Sequence, residues 1–364
     1  MVPDHADSAC RLIVRTLSLR NVRSYARLDL DLEPGLVLAV GPNGAGKTNL
    51  LESLHLGTQG FSPRTRTDAQ VLRFGEDAAR IALRGSHGGA AVEVELQLRA
   101  GQAKRARLNG ASLAAAEQLR TRLATLVFTP DRLAVVKGGP AVRRAYLDRA
   151  LGRLMPARAM LPVEYGAAVG QRNAALRRVS LGLSSREALA PWTERVAGLG
   201  AELSAARSEA VQLLSPAFAE RGNDLGLAGA RLEYAPDPPT VESLEARLPR
   251  DLERGTTGIG PHLDEIGVLA GSRDLRSFGS QGEQRLAVLS LLLGEADVLA
   301  ERSGVPPLLL FDDVLSELDA DRRAALARGL PAGGQTLITA TSRELLPAEP
   351  AQVVVVTPGD ARAA

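Results

Sequence analysis

One cysteine, Cys10, stands in a chain of 364 residues, which excludes an intrachain disulfide and any cysteine-built metal centre. Aromatic side chains are scarce, at 3% with a single tryptophan, so there is little with which to stack bases. No apolar run approaches the ~18 residues that cross a bilayer. The start, Met1 to Ala9, contains Pro3, Asp4, His5 and Asp7 and has neither a basic nor an apolar leader region; it reads as a frayed tail. These absences lead us to expect a cytoplasmic protein. An excess of one charge is missing too. With 44 basic and 42 acidic residues the net charge is +2, so an acidic partner must be met by a local patch. The basic charge is nearly all arginine, which suits bidentate phosphate contacts, although a GC-rich genome accounts for the bias equally well.

What the chain does have is Gly41-Pro42-Asn43-Gly44-Ala45-Gly46-Lys47-Thr48, a full match to G-x-x-x-x-G-K-[ST]. It lies between the apolar run Leu36 to Val40 and a helix-like segment from Asn49 to Leu56, the strand–loop–helix setting in which such a loop cradles phosphates. The glycines let backbone N–H groups turn toward an anion, and the helix N-terminus adds its positive dipole end. Lys47 would reach the β- and γ-phosphates of ATP, and the Thr48 hydroxyl would ligate Mg2+.

The length allows two domains, or one with a large insertion. Leu17 and Leu19, then Leu28, Leu30 and Leu32, alternate with polar residues as half-buried strands do, and residues 79 to 99 read as a hairpin turning between Gly85 and Gly89. The texture changes near Pro130. From Ala141 to about Arg221, apolar residues recur at helical spacing, and Ser184-x-x-Glu187 suggests a capping box. Strand character returns at Leu225 to Tyr234 and at Ile266 to Leu269. A helix follows Gly282 to about Glu301, and strands are expected at Leu308 to Phe311, Gln335 to Ala340 and Val353 to Val356. The expected division is therefore an α/β ATPase domain in two halves, 1–127 and 258–364, split by a mainly helical insertion over 128–257.

Leu308 to Phe311 ends in Asp312-Asp313. After a phosphate loop, such a strand supplies the metal-side carboxylate; Asp312 would hold Mg2+ and Asp313 would orient or polarise the attacking water. Thr48 and Asp312 lie 264 positions apart, a gap that points to an inserted module. Between them, Ser277-Phe278-Gly279-Ser280-Gln281-Gly282-Glu283-Gln284-Arg285 leads into a helix, a Ser- and Gly-rich anion site by the same physics. In order and position this turn resembles the signature motif of ABC-type ATPases. That resemblance implies that Ser280 and Gly282 contact the γ-phosphate held by a second subunit, so that ATP joins two heads. Ser316-Glu317-Leu318-Asp319 resembles the loop that crosses between such subunits.

Further stretches narrow the resemblance to the RecF family, bacterial recombination and repair ATPases related to SMC-type heads. They are Asn21-Val22-Arg23-Ser24-Tyr25, Phe128-Thr129-Pro130-Asp131, Lys137-Gly138-Gly139-Pro140 with Arg143-Arg144, Gln171-Arg172-Asn173-Ala174-Ala175-Leu176 and Gly258-Ile259-Gly260-Pro261-His262. The resemblance covers almost the whole chain. It implies an ABC-type P-loop head of mixed sheets and helices with a helical insertion. It also implies an ATP-dependent homodimer that binds double-stranded and gapped DNA, works with RecR and RecO to load RecA, and hydrolyses ATP slowly under DNA stimulation. Lys47, Asp312 and Asp313 would be its catalytic residues, and Gly41 to Asn49 with Ser280 and Gly282 its ATP contacts. Some positions depart from the wider ABC pattern. Gln281 stands at a usual glycine, and Asp313 stands where many relatives have glutamate. No glutamine lies near Thr129 to Asp131, and Thr341 falls where a switch histidine would be. These departures suit a slow timer better than a fast motor. An ATPase subunit of a membrane transporter, a non-hydrolysing ATP-dependent clamp and an SMC-like structural protein are the other readings of the same motifs.

For DNA contact, the candidates are Arg143, Arg144, Arg149, Arg153, Arg172, Arg177 and Arg178, which outnumber the acids Asp148 and Glu164. Such a patch would bind phosphates without regard to sequence and in a salt-dependent way; a solvated helix face is the plainer explanation. Lys104, Arg105 and Arg107 form a second basic cluster, expected on a hairpin edge. His262 is expected to be a hydrogen-bonded turn residue and Trp192 a core residue.

Overall fold

The computed structural model describes residues 12–65, 67–331 and 333–364; Cys10 and the expected tail over 1–9 lie outside them. The chain divides into two compact units, one made of residues up to Arg132 with Asp224–Gly226 and Leu289–Ala364, the other of Leu133–Asn223 and Leu227–Val288. Where the sequence division ends the insertion at residue 257, the second unit runs on to Val288. The physical reason is strand pairing: residues 267–270 pair with 230–233 inside that unit.

The first unit holds two sheets. Strands β1 (Ile13–Val22), β2 (Tyr25–Asp31), β4 (Ala78–His87), β5 (Ala90–Arg99), β6 (Arg105–Leu108) and β7 (Ala111–Ser112) form an antiparallel sheet in the order β2-β1-β4-β5-β6-β7. Its strands alternate as one-sided sheets do: Leu17, Leu19, Ile81, Leu83, Val94 and Leu96 are buried, while the residues between them face solvent. A mostly parallel sheet follows the order β15-β14-β3-β13-β12-β8. It is built from β3 (Gly35–Val40), β8 (Thr125–Phe128), β12 (Leu308–Phe311), β13 (Gln335–Ala340), β14 (Gln352–Thr357) and β15 (Asp360–Ala363). All four residues of β8 and of β12 are buried, and β12, inside the sheet, is the continuous apolar run of a parallel strand covered on both faces, while β8 closes the edge. Helix α1 (Lys47–Gln59) packs within the core that joins both sheets, and even its polar residues Glu52, Ser53, His55, Thr58 and Gln59 are buried.

The second unit is mainly helical. In chain order it contains α2 (Ala134–Lys137), α3 (Pro140–Leu154), α4 (Leu161–Ser180), α5 (Ala190–Asp224, with Pro216 inside), α6 (Val241–Ala246) and α7 (Leu248–Arg254). A three-stranded sheet, β11-β10-β9, joins Arg273–Asp274, Gly267–Ala270 and Ala230–Glu233. Then come α8 (Leu275–Phe278) and α9 (Gln281–Ser303), which starts in the second unit and ends in the first; α10 (Ala320–Arg328) belongs to the first. The strand expected over 225–234 is confined to β9, because Gly226 and Gly229 take positive φ and turn the chain first.

Two local expectations are corrected. No capping box forms at Ser184 and Glu187: a short 3-10 helix over Arg186–Leu189 begins after Ser185, without a side-chain cap. Trp192 is not core; at the start of α5 it is 36% exposed. Among the described residues no helix is long and apolar enough to cross a membrane.

Candidate nucleotide-binding site

The loop after β3 closes tightly against its neighbours. A Cβ on Gly41 would lie 2.3 Å from the Val356 carbonyl oxygen, so only glycine fits there. Gly46 has φ of 112°, a left-handed conformation that lets the chain turn into α1. Ala45 is buried, while Pro42, Asn43 and Gly44 form an exposed tip. Lys47 bridges the loop: its Nζ donates to the carbonyl oxygens of Gly41 (2.7 Å) and Pro42 (3.0 Å). The first turn of α1 carries no acidic residue, so no side chain there neutralises the positive end of the helix.

Opposite the loop, parallel pairing of β12 with β13 sets Phe311 beside Ile338 and brings the strand ends together. The Thr48 hydroxyl donates to Asp312 Oδ1 at 3.0 Å, and the Thr339 hydroxyl donates to the same oxygen at 2.9 Å. Burial pushes the Asp312 carboxyl above the ordinary carboxylate range, and the hydrogen bonds from Thr339 and Thr48 work against that rise. Asp313 takes φ of 50°, its amide donates to Thr339 Oγ1 at 2.9 Å, and its buried Oδ1 has no hydrogen-bond partner among the described residues. Thr341, expected at the switch position, is exposed, whereas Thr339, which sequence reasoning misses, is fully buried and links both acids. The buried, unbroken run of β13 is the available signal for it.

A support shell comes from the Asn21-to-Tyr25 turn. Tyr25 donates its hydroxyl to the Gly46 carbonyl at 3.0 Å, and burial raises its pKa well beyond that of a free phenol. Asn49 Nδ2 donates to Ser24 Oγ at 3.0 Å. Arg23 grips the buried Glu52 through Nε (2.9 Å) and Nη2 (2.7 Å), and Arg64 and Ser62 hold the same carboxylate. Desolvation would raise the Glu52 pKa, but these hydrogen bonds and charges hold it below the ordinary range. The Asn21-to-Tyr25 residues that carry part of the family resemblance thus fix the loop and the first turns of α1 from below.

In the second unit, Ser280 and Glu283 cap α9 reciprocally. The Ser280 amide donates to Glu283 Oε2 (2.9 Å), and the Glu283 amide donates to Ser280 Oγ (3.2 Å). Phe278, Ser280 and Gln281 lie at the surface, and a Cβ on Gly282 would meet no heavy atom closer than 3.9 Å. Gly279 is different: a Cβ there would strike the Leu275 carbonyl oxygen at 2.5 Å. The phosphate loop, Asp312 and Asp313 thus belong to the first unit, and Ser280 and Gly282 to the second.

The arginines expected to contact DNA divide sharply. Arg172 is 1% exposed and pairs with Asp251, itself buried, at 2.8 Å; Asn173 beside it accepts from Thr257 N and Oγ1. Arg143 is 4% exposed, pairs with Glu265 and donates to Gly138 O. Both are corrected from phosphate contacts to internal ties, because a guanidinium enclosed by protein cannot follow a polymer outside it. Arg144 donates to the Asp264 carbonyl at 2.6 Å; Arg149 and Arg153 are half-buried, and Arg177 and Arg178 are exposed. His262 is a hydrogen-bonded turn residue: its Nδ1 meets Tyr165 OH at 2.8 Å and its Nε2 meets Thr257 O at 3.0 Å. With Tyr234 to Asp264 and Arg207 to Pro261 O, it makes Gly260–Glu265 a junction inside the second unit.

Known proteins share this architecture. The family described as RecF/RecN/SMC N terminal domain matches residues 13–361. The DNA replication and repair protein RecF of Arthrobacter sp. (strain FB24) is 34% identical, over 96% of this chain and 98% of that one. RecF of Heliobacterium modesticaldum (strain ATCC 51547 / Ice1) is also 34% identical, over 90% and 92%. Among solved structures, the recombination mediator protein RecF with ATP superposes with a TM-score of 0.87 at 25% identity, covering 99% of both chains. A Smc head bound to the C-terminal winged-helix domain of ScpA shares the fold, with a TM-score of 0.58 at 16% identity over 97% of each chain.

Proposed function

The chain belongs to the RecF family, within the RecF/RecN/SMC group of ATPase heads, and on that premise we propose that it is a cytoplasmic, ATP-dependent DNA-binding protein of recombinational repair and replication restart. It dimerises on ATP and binds DNA at single-strand gaps or junctions. With RecR and RecO it helps to load RecA, and slow, DNA-stimulated hydrolysis resets it. The observation that carries this reading is the convergence of Thr48, Thr339 and Asp312 beside a loop whose lysine lies across its own carbonyls.

The residues present fit both ATP and Mg2+. Thr48 Oγ1 and Asp312 Oδ1 are hard oxygen donors 3.0 Å apart, and Asp313 Oδ1 is buried without a partner among the described residues. Thr48 and Asp312 would hold Mg2+, which would supply charge neutralisation for phosphoryl transfer to water. Lys47 exchanges its contacts with Gly41 and Pro42 for the phosphates, and the N–H groups at the start of α1 orient them. Asp313, fixed by Thr339, accepts a hydrogen bond from the attacking water and aligns it. Ser280 and Gly282 of a second copy close over the γ-phosphate, which makes nucleotide binding and dimerisation one event.

Oligomeric state and DNA binding measured with ATP, with ADP and without nucleotide, on gapped and intact duplex, test this reading. ATP should yield dimers and tight DNA binding, and Lys47→Ala should lose both. ATP-dependent dimers persisting in Lys47→Ala would overturn it.

A further inference from the structure

The solvent face of the antiparallel sheet carries a row of basic side chains set by strand register. Arg27 on β2 pairs with Arg20 on β1, Arg20 with Arg80 on β4, Arg80 with Gln97 on β5, and Gln97 with Arg105 on β6. Cross-strand partners point to the same face, and at about 4.8 Å per strand this row is ~19 Å long, the rise of some five to six base pairs of duplex. Beside it, Arg99 pairs with Ala78. The short side chains of Ala78 and Ala103 among these long ones leave a concavity of about 320 Å³, lined by Arg20, Arg80, Arg99, Arg105, Gln97 and Gln102 and by no carboxylate.

Two of the four arginines are already engaged at the edges. Arg20 forms a two-pronged contact with Asp29 (3.1 and 3.0 Å), and Arg80 meets Glu95 at 2.9 Å. Arg99 and Arg105 are exposed and have no carboxylate partner among the described residues. Arginine on a pleated surface without a counter-charge repels its neighbours, so Arg99 and Arg105, both unpaired beside one hollow, indicate that an anion is supplied from outside.

We propose that this hollow and its arginine row are a DNA contact, gripping the phosphodiester backbone of duplex through Arg99 and Arg105 with Gln97 and Gln102 completing the hydrogen bonds. The inference rests on the DNA-binding function proposed above and gives that function a surface. The absence of aromatic residues from the lining sets base stacking aside. An acidic protein is the poorer occupant, because a protein partner needs apolar or aromatic anchors, and the lining has only alanines and Leu98. A row of guanidinium groups that reads no base edge fits sequence-independent backbone binding.

The test is Arg99→Gln with Arg105→Gln in the full chain, both at exposed positions, with Arg122→Gln as a control for removing one positive charge elsewhere. Affinity for gapped duplex is measured with ATP present as salt is varied. Every phosphate that is no longer neutralised takes about 0.9 from the slope of log affinity against log salt, so the double variant should bind roughly 30-fold more weakly at 0.15 M salt and converge with wild type toward 1 M. ATP-dependent dimerisation should be unchanged. An affinity and slope equal to those of Arg122→Gln, in a wild type that does bind DNA, would sink this site alone; a wild type that binds no DNA would sink the function as well. Should the variant instead lose binding of inorganic tripolyphosphate while keeping DNA affinity, the hollow is a small-anion site and the proposal falls.

Discussion

Charge at the residue scale is read by its surroundings rather than by its type. Arg172 and Arg177 lie five positions apart on α4, yet one is 1% exposed and bonded to Asp251, Thr193 and Thr257, while the other lies in solvent. Arg172→Ala should therefore lower stability by about 3 kcal/mol, because Asp251 loses its buried partner and keeps only Arg247, at 3.5 Å, as counter-charge. Arg177→Ala should stay within about 0.5 kcal/mol in the same urea titration. Asp313 makes the converse case, a residue whose strain and unmet hydrogen bond lie next to the phosphate loop. Asparagine tolerates the same left-handed backbone but carries no charge. Asp313→Asn should keep ATP binding and lower single-turnover hydrolysis by about 10²–10⁴-fold; an unchanged rate would remove Asp313 from water activation.

Among the elements, α9 opens on a structural cap at the turn proposed to bind ATP. Arg273 donates to Glu283 at 2.6 Å, and this contact, with the amide of Ser280, holds the Glu283 carboxyl at about 2. A depressed acid stabilises the fold fully above its unfolded value of 4.5 and loses that contribution as pH falls through about 2. The NMR shift of the Ser280 amide proton should thus hold down to about pH 3 and titrate only near pH 2. In Glu283→Gln the low-pH step should vanish while the cap itself persists. Strand legibility at this scale followed periodicity. The alternating β1, β4 and β5, and the apolar β12, β13 and β14, were visible because each flanks a turn or a motif. β8 was not, since Thr125 to Phe128 is a four-residue buried run without alternation, and only pairing with β12 makes it a strand.

For the whole molecule, the proposed composite ATP site makes a prediction that neither motif makes alone. Lys47→Ala disables one half of the ATP site and Ser280→Arg the other, so each variant by itself should be inactive. In a one-to-one mixture only mixed dimers carry an intact pairing of loop and cap, one of two per dimer, and DNA-stimulated ATPase should return to at most about half of wild type. No recovery would mean that the two motifs do not meet across a dimer. The loop, the acidic strand and the capped turn were all legible in the sequence, because each is a run of neighbours in the chain. Their mutual placement was not.

Chain order alone dictated the chemistry that depends on adjacency: a glycine-rich turn ending in Lys47 and Thr48, an apolar strand ending in two acids, and a Ser-Gly turn opening a helix. Covalent spacing by itself sets those groups within reach of one another. Folding settled everything that joins distant residues. It put Thr48 against Asp312 across 264 positions and made Thr339 the link between the acids. It buried Arg143 and Arg172 and lined up Arg20, Arg80 and Arg105 on one sheet face. The reason is that burial and strand register are properties of packed surfaces, and a single chain read in order carries no measure of which of its charges will face water.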